Sequence, residues 1–422
     1  ANRRARAFAE RGVKPGDFVA IGLPNSNVFY ETTFAVWKCG ATPTSLSWRL
    51  PRGEAAAVLE ILKPALVVGG EADWNAANRL PADFSPQGYS DAPLANPVTR
   101  YWKAMTSGGS TGRPKVILDH APAVIETSLA PGLEIQLGTS LLNPGPLYHN
   151  APFILSHYAL FGGGRVTGMV KFDAEETLRL IENNRVQWVN FVPTMMHRIW
   201  RLPTATRARF DLSSLVAVWH MASACPPWLK ENWIDWLGAE RIYELYGGTE
   251  RQGATVITGT EWLAHRGSVG KVQPGARLQV LDTHGQPCAP GQVGEIYFLP
   301  DGGRNTTYHY VGADARTAGD WESLGDLGYL DADGYLYLVD RRTDLVVSGG
   351  ANIYPAEVEA ALDAHPRVMS SAVIGLPDDD LGHRVHAVVQ LNGPPDDGCD
   401  AQALSAFVAE RLARYKVPRT FE

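Results

Sequence analysis

The alternation of apolar, strand-like runs with helical patterns constrains this chain most. Asp17 to Leu23 is such a run, closed by Pro24-Asn25-Ser26. Asn25 or Ser26 can cap the helix expected from Val28 to Cys39, which Gly40 ends. Ala55 to Leu62 and then Ala65 to Gly69 repeat the order of helix and strand. Trp188 to Pro193 leads into a helix from Met195, and Leu215 to Met221 leads towards a tryptophan-rich helix carrying Trp228, Trp233 and Trp236. Strands spaced by helices pair in parallel under helical cover, so the expected fold class is α/β. With 422 residues the chain has room for two or three domains.

Composition narrows the function classes. A net charge of −7 argues against wholesale nucleic-acid binding and against a polybasic membrane anchor. Cys39, Cys225, Cys288 and Cys399 are far apart, which suggests neither a disulfide framework nor a zinc site. No uncharged apolar run reaches spanning length and no signal peptide is visible, so a cytoplasmic protein is expected.

Against that frame stands Thr106 to Lys115, Thr-Ser-Gly-Gly-Ser-Thr-Gly-Arg-Pro-Lys. Gly108, Gly109 and Gly112 let backbone N–H groups converge on an anion, and Ser107, Ser110 and Thr111 add hydroxyl donors. Lys115 supplies a point charge suited to phosphate. The stretch reads as a phosphate cradle or as an exposed hairpin; it is not a Walker loop, since no Gly-Lys-Ser/Thr opens a helix. Further on, Tyr243 to Glu250 runs from a strand through Gly247 and Gly248 to Thr249 and Glu250. Beside a polyphosphate Glu250 is a sensible Mg²⁺ ligand; alone it is a surface carboxylate in a turn. Asp326 is a turn residue or a partner for a ribose diol. His149 is a structural histidine or a pocket wall. The tryptophan spacing chiefly means core packing.

Taken together, the cradle, Tyr246-Gly247-Gly248-Thr249-Glu250, Gly325-Asp326-Leu327-Gly328 with Asp340-Arg341, and Ser348-Gly349-Gly350-Ala351-Asn352-Ile353-Tyr354-Pro355 resemble the acyl-adenylate-forming superfamily. Pro146-Leu147-Tyr148-His149 and Cys225 to Lys230 are most similar to bacterial fatty, aryl and steroid or bile acid CoA ligases. The similarity covers the chain, with the motifs in family order.

The resemblance implies a large N-terminal domain, residues 1–340, of two layered α/β sheets plus a distorted β-barrel. A small mobile C-terminal α/β lid, residues 341–422, would follow. It implies ATP-dependent formation of an acyl-adenylate with release of pyrophosphate, then of an acyl-CoA thioester with release of AMP. ATP, Mg²⁺ and coenzyme A are the implied cofactor, metal and co-substrate, and a small-molecule carboxylic acid is the partner. Matching motif positions assigns Ser107 to Gly112 and Lys115 to the β- and γ-phosphates, and Thr111 with Glu250 to Mg²⁺. Adenine would lie against Ala222-Ser223-Ala224 and Leu245-Tyr246-Gly247, near Thr249, with Asp326 on the ribose and Arg341 near ribose and phosphate. Lys115, Thr111, Glu250 and Arg341 are thus the expected catalytic groups. His149, Phe153, Asn190, Phe191, Ala222, Gly247 and Gly248 would line an acyl pocket for a bulky hydrophobic acid, and Ser348, Gly349 and Gly350 would meet CoA.

The chain departs from the family pattern in four places: Gly108 where Ser is frequent, Val116 after the lysine, the stretch Met221 to Ala224 at the adenine wall, and Thr343 at the hinge. The resemblance also places a lysine shortly after Tyr415 to Arg419, beyond Glu422, so the sequence is expected to be incomplete at that end; it also opens without Met inside the helical pattern Ala1 to Arg11, so upstream sequence is expected too. A ligase that loads a carrier protein and a non-catalytic nucleotide-binding relative remain as alternatives. Amino-acid activation is disfavoured because His149 stands where a carboxylate would be needed. The oligomeric state, homodimer included, is left open.

Overall fold

The structure, a computed structural model, describes residues 1–422 except 72, 73, 75, 96, 108–113, 127–132, 342, 343, 349, 350, 379, 380 and 395–398, and leaves out the side chains of Ser107 and Arg341. The chain begins α1 (Asn2–Glu10), β1 (Phe18–Gly22), α2 (Asn27–Lys38), β2 (Thr42–Ser45), α3 (Arg52–Leu62) and β3 (Leu66–Gly69). β4 (Arg79–Leu80), β5 (Ala104–Ser107) and β6 (Lys115–Asp119) follow. Next come β7 (Ser140–Asn143), α4 (Asn150–Phe161), β8 (Arg165–Gly168), α5 (Ala174–Asn183), β9 (Trp188–Phe191), α6 (Pro193–Trp200) and α7 (Thr204–Arg207). β10 (Ala217–His220), α8 (Pro227–Leu237), β11 (Ile242–Gly247), β12 (Ala254–Thr258) and α9 (Gly259–Ala264) follow.

An antiparallel run then adds β13 (Ser268–Val272), β14 (Ala276–Leu281), β15 (Gly294–Pro300), β16 (Tyr308–Val311), β17 (Arg316–Ala318), β18 (Trp321–Ser323), β19 (Asp326–Leu330) and β20 (Leu336–Arg341). The C-terminal part holds β21 (Val346–Ser348), β22 (Ala351–Ile353), α10 (Pro355–Asp363), β23 (Val368–Asp378), β24 (Gly382–Leu391), α11 (Ala401–Ala409) and β25 (Thr420–Phe421).

Two large sheets result, as the α/β alternation requires. The first has the order β16-β6-β5-β2-β1-β3-β4, and the second runs β17-β18-β15-β19-β20-β13-β12-β11-β10-β9-β7-β8 with β14 paired to β15. β8, β7, β9, β10 and β11 pair in parallel, and the antiparallel strands continue that same sheet from β12 onwards. The small C-terminal domain has its own sheet, β23-β24-β25, a β21–β22 hairpin, and its own core around Ile353, Val358, Leu362 and Val408.

Ser26 is the residue that caps α2, its hydroxyl accepting the Phe29 N–H at 3.3 Å. Asn25 instead clamps the two large sheets together. Its amide donates to the carbonyls of Gly145 and Met169, at 2.8 Å each, and its Oδ1 accepts the Leu147 N–H at 2.8 Å. The last helix, α11, ends at Ala409. Arg411 and Leu412 both turn back onto the Val408 carbonyl there, which closes the helix. No helix among the described residues is long and apolar enough to cross a membrane.

Candidate active site

Lys115 opens β6, and the β5–β6 ladder sets it opposite Ser107. On the other edge of β6 the register places Tyr310 of β16 opposite Ile117. Direct opposites in an antiparallel pair share a face, and diagonal neighbours lie within reach of long side chains. Lys115 is the diagonal neighbour, and its ammonium sits 3.9 Å from the Tyr310 ring centroid. The same ammonium lies 3.6 Å from Oε1 of the buried Glu250, in the turn after β11. Tyr310 donates its phenol proton to that oxygen at 2.6 Å. Burial first, and then the Glu250 charge, push the Tyr310 pKa far up, so the phenol stays a donor.

The glycine at 248 is demanded by close approach. A Cβ there would fall 2.6 Å from Glu250 Oε2 and 2.7 Å from Leu324 Cδ2. Arg251, the next residue after Glu250, adopts a left-handed φ of 57° and ties the turn to β6. Its Nη1 lies 3.0 and 3.1 Å from the two oxygens of Asp119. Asp119 is fully buried and also receives Lys103 Nζ at 3.0 Å, Trp102 Nε1 at 2.8 Å and the Ala121 N–H at 3.0 Å. Burial alone would raise the Asp119 carboxyl, but Lys103 and Arg251 outweigh it and hold the pKa below the ordinary value. Burial pulls the Lys103 ammonium down against the attraction of Asp119.

A second group of expected residues gathers across β11, β19 and β20. Tyr246 donates to Asp326 Oδ2 at 2.8 Å, and Asp326 stands in register with Arg341. Ala222, just past β10, holds a φ of 80°, a conformation that glycine adopts freely and alanine does not. Ser223, Ala224 and Gly247 are exposed beside it, with Leu245 and Thr249 half-buried. Ser348 pairs with Ala351 at the mouth of the β21–β22 hairpin. Gly108, Gly109, Ser110, Thr111, Gly112, Thr343, Gly349 and Gly350 lie outside the described residues.

Two expected pocket walls are core residues instead. Successive strand residues face opposite sides of a sheet. Phe191 accordingly joins Val189 on the helix-covered side, its ring 5.5 Å from that of Trp233, while Asn190 takes the other face. Phe153 is wholly buried among Phe29, Trp37, Trp102 and His157. Both were chosen for apolar character, and that same character packs them away from any opening. Asn190 is buried with no partner for its Oδ1 among the described residues, and His149 is exposed at the start of α4, against Tyr148.

Sequence reasoning missed Lys103, Asp119, Arg251 and Tyr310. The available signal was Lys103 just before the Ala104-Met105 start of β5 and Asp119 after the apolar run Val116-Ile117-Leu118 of β6, where an unpaired charge would be costly.

The donor set at Glu250 suits Mg²⁺. A hard carboxylate, buried beside a lysine fit for phosphate, is what a magnesium–nucleotide complex takes from a protein. Glu250 would hold the ion, with Lys115 on the phosphates.

Comparison with known proteins shows the family. Residues 1–303 match the family model described as AMP-binding enzyme, and residues 357–422 match its C-terminal domain. The chain is 33% identical to a feruloyl-CoA synthase from Amycolatopsis sp, over 100% of this chain and 87% of that protein. It is 31% identical to a 2-succinylbenzoate–CoA ligase from Geobacillus kaustophilus, over 98% of this chain and 85% of the relative. The solved o-succinylbenzoate CoA synthetase from Bacillus subtilis, in complex with its acyl-adenylate intermediate, superimposes with a TM-score of 0.84 at 26% identity, covering 100% of this chain and 87% of that one. The chain therefore belongs to the AMP-binding enzyme family and is an AMP-forming acid–thiol ligase that uses ATP with Mg²⁺ and takes coenzyme A as co-substrate.

Proposed function

We propose that this enzyme activates a bulky apolar carboxylic acid, an aryl acid foremost, and transfers it to coenzyme A. The single observation that carries the reading is the Lys115–Glu250–Tyr310 cluster, where β6, the turn after β11 and β16 meet. In the first step the substrate carboxylate attacks the α-phosphorus of ATP and pyrophosphate leaves. In the second the CoA thiol attacks the acyl carbonyl and AMP leaves. Lys115 orients the outer phosphates, and Asp326, held by Tyr246, meets the ribose hydroxyls. Mg²⁺, when bound through Glu250, neutralises phosphate charge. Residues 1–340 form the catalytic body, and the part from 341 on acts as a lid that changes orientation between the two steps. Its separate core supports that division.

The acid class rests on the two relatives named above, a feruloyl-CoA synthase and a 2-succinylbenzoate–CoA ligase, and on Gly247, exposed without a side chain at the end of β11. No carboxylate replaces His149 to pair with a substrate ammonium, so an amino acid is not the expected substrate.

The test is pyrophosphate release across a panel of acids, followed by thioester formation with free CoA or with acyl carrier protein. The reading expects release only when ATP, Mg²⁺ and an aryl or similarly bulky acid are all present, and thioester on CoA. If acetate or an amino acid gives the highest kcat/KM, the acid assignment fails; if only carrier protein is loaded, the acceptor assignment fails.

A further inference from the structure

Tyr310 belongs to none of the motifs, yet it touches both charged members of the cluster. Its phenol donates to Glu250 Oε1 at 2.6 Å, and its ring face carries the Lys115 ammonium at 3.9 Å. Its place is fixed by the β6–β16 ladder and by the neighbouring His309, whose Nδ1 is hydrogen-bonded to His120 Nε2 at 2.7 Å.

Consider the site without that side chain. Lys115 and Glu250 are opposite charges already 3.6 Å apart in a partly enclosed place. They would close into a direct ion pair, which masks the carboxylate that a metal needs and the cation that phosphates need. Tyr310 opposes this collapse twice. The phenol occupies Oε1 with a neutral donor, while Oε2 stays over Gly248, where only a hydrogen atom fits. The ring face offers the ammonium a second seat through cation–π attraction.

We propose that Tyr310 is a positioning residue for the magnesium–nucleotide complex: it fixes the Glu250 carboxylate through Oε1 and keeps Lys115 from pairing fully with it. This rests on the reading of Glu250 as the metal ligand. Partners that orient a ligating carboxylate shape metal affinity nearly as much as the ligand does.

The experiment uses the whole chain with ATP, reading Mn²⁺ binding to the ATP complex by electron paramagnetic resonance. Calorimetry reads ATP binding with and without Mg²⁺. Tyr310→Phe keeps the ring and loses the hydrogen bond. It should weaken Mn²⁺ binding about 10-fold, and raise the Mg²⁺ concentration for half-maximal pyrophosphate release by a similar factor. Metal-free ATP binding should change far less, since Lys115 keeps its seat. Tyr310→Leu loses the ring as well and should weaken metal-free ATP binding too. Wild-type Mn²⁺ affinity in Tyr310→Phe overturns the proposal. So does a loss of equal size with and without metal, which would mark a structural role only. Glu250→Gln separates the two levels of inference. If it still binds Mn²⁺ in the ATP complex, the metal assignment itself is wrong; if it does not and Tyr310→Phe does so normally, only the role of Tyr310 falls.

Discussion

Single atoms decide much in this site. Gly248 is adjacent to no sheet partner that needs it, and its lack of a Cβ matters because Glu250 Oε2 occupies the space. Gly248→Ala should therefore lower kcat/KM for pyrophosphate release by roughly 10-fold or more, while thermal stability moves by about 1–3 kcal/mol at most, the usual range for overpacking. Unchanged kcat/KM would show that Glu250 can swing aside without loss. At the residue scale the sequence was legible where chemistry is local. Lys115, Glu250, Tyr246 and Asp326 were named from motifs, and the structure groups them in the two contacts Lys115–Glu250 and Tyr246–Asp326. Within the departing stretch Met221 to Ala224, Ala222 sits at φ 80°, a conformation that glycine adopts freely. Tyr310, Lys103, Asp119 and Arg251 were not legible. Their roles come from partners far off in the chain, and an isolated charge or phenol carries no mark of its partner.

Strands and helices show the same division. The helix–strand alternation read along the chain reappears as the parallel strands β1, β2, β3, β9, β10 and β11. Nothing in that periodicity foretold that β16, arriving after residue 300, would pair with β6 in the first sheet. Nor did apolar composition say which face of β9 Phe191 would take; only its partner Trp233 on α8 settles that. The joint between the sheets is Asn25, whose side chain makes three hydrogen bonds to backbone groups before β7's following helix and after β8. Asn25→Ala leaves the Leu147 N–H and two carbonyls without those partners. The expected loss is about 2–3 kcal/mol of unfolding free energy, read from denaturant midpoints, with weaker acid binding because α4 follows directly from this loop. A midpoint equal to wild type would show that water replaces the amide at no cost.

Over the whole molecule, stability and acidity are linked. His157, His197 and His220 are each pulled from 6.5 to about 4 by burial, with Arg201 adding to the effect at His197. Between those values the unfolded chain binds protons that the folded one refuses, so folding stability must fall as pH drops from about 6.5 towards 4. Asp363 and Glu359 are pushed up by burial and act in the opposite sense. Thermal midpoints should decline from pH 7 to pH 5. His157→Phe, which keeps a ring among Tyr30, Phe34 and Trp37, should make that decline shallower. An equally steep decline in the variant would place the proton uptake elsewhere. The two domains also touch at this scale: Arg201 of the large domain donates to the carbonyls of His365 and Val368 in the small one.

The cluster of Lys115, Glu250 and Tyr310 has one more consequence, for the life of the chain in a cell. Its members come from three widely separated segments, so the proposed nucleotide site does not exist until synthesis has passed residue 310 and both sheets have docked. Long-range contacts of this kind form late, because the intervening loops must first close. A nascent or half-folded chain therefore cannot be rescued by ATP, whereas a finished one can, since a ligand that binds only the folded state stabilises it by mass action. Nucleotide supply would then act on this enzyme twice, as its fuel and as the agent that decides how many finished copies escape proteolysis.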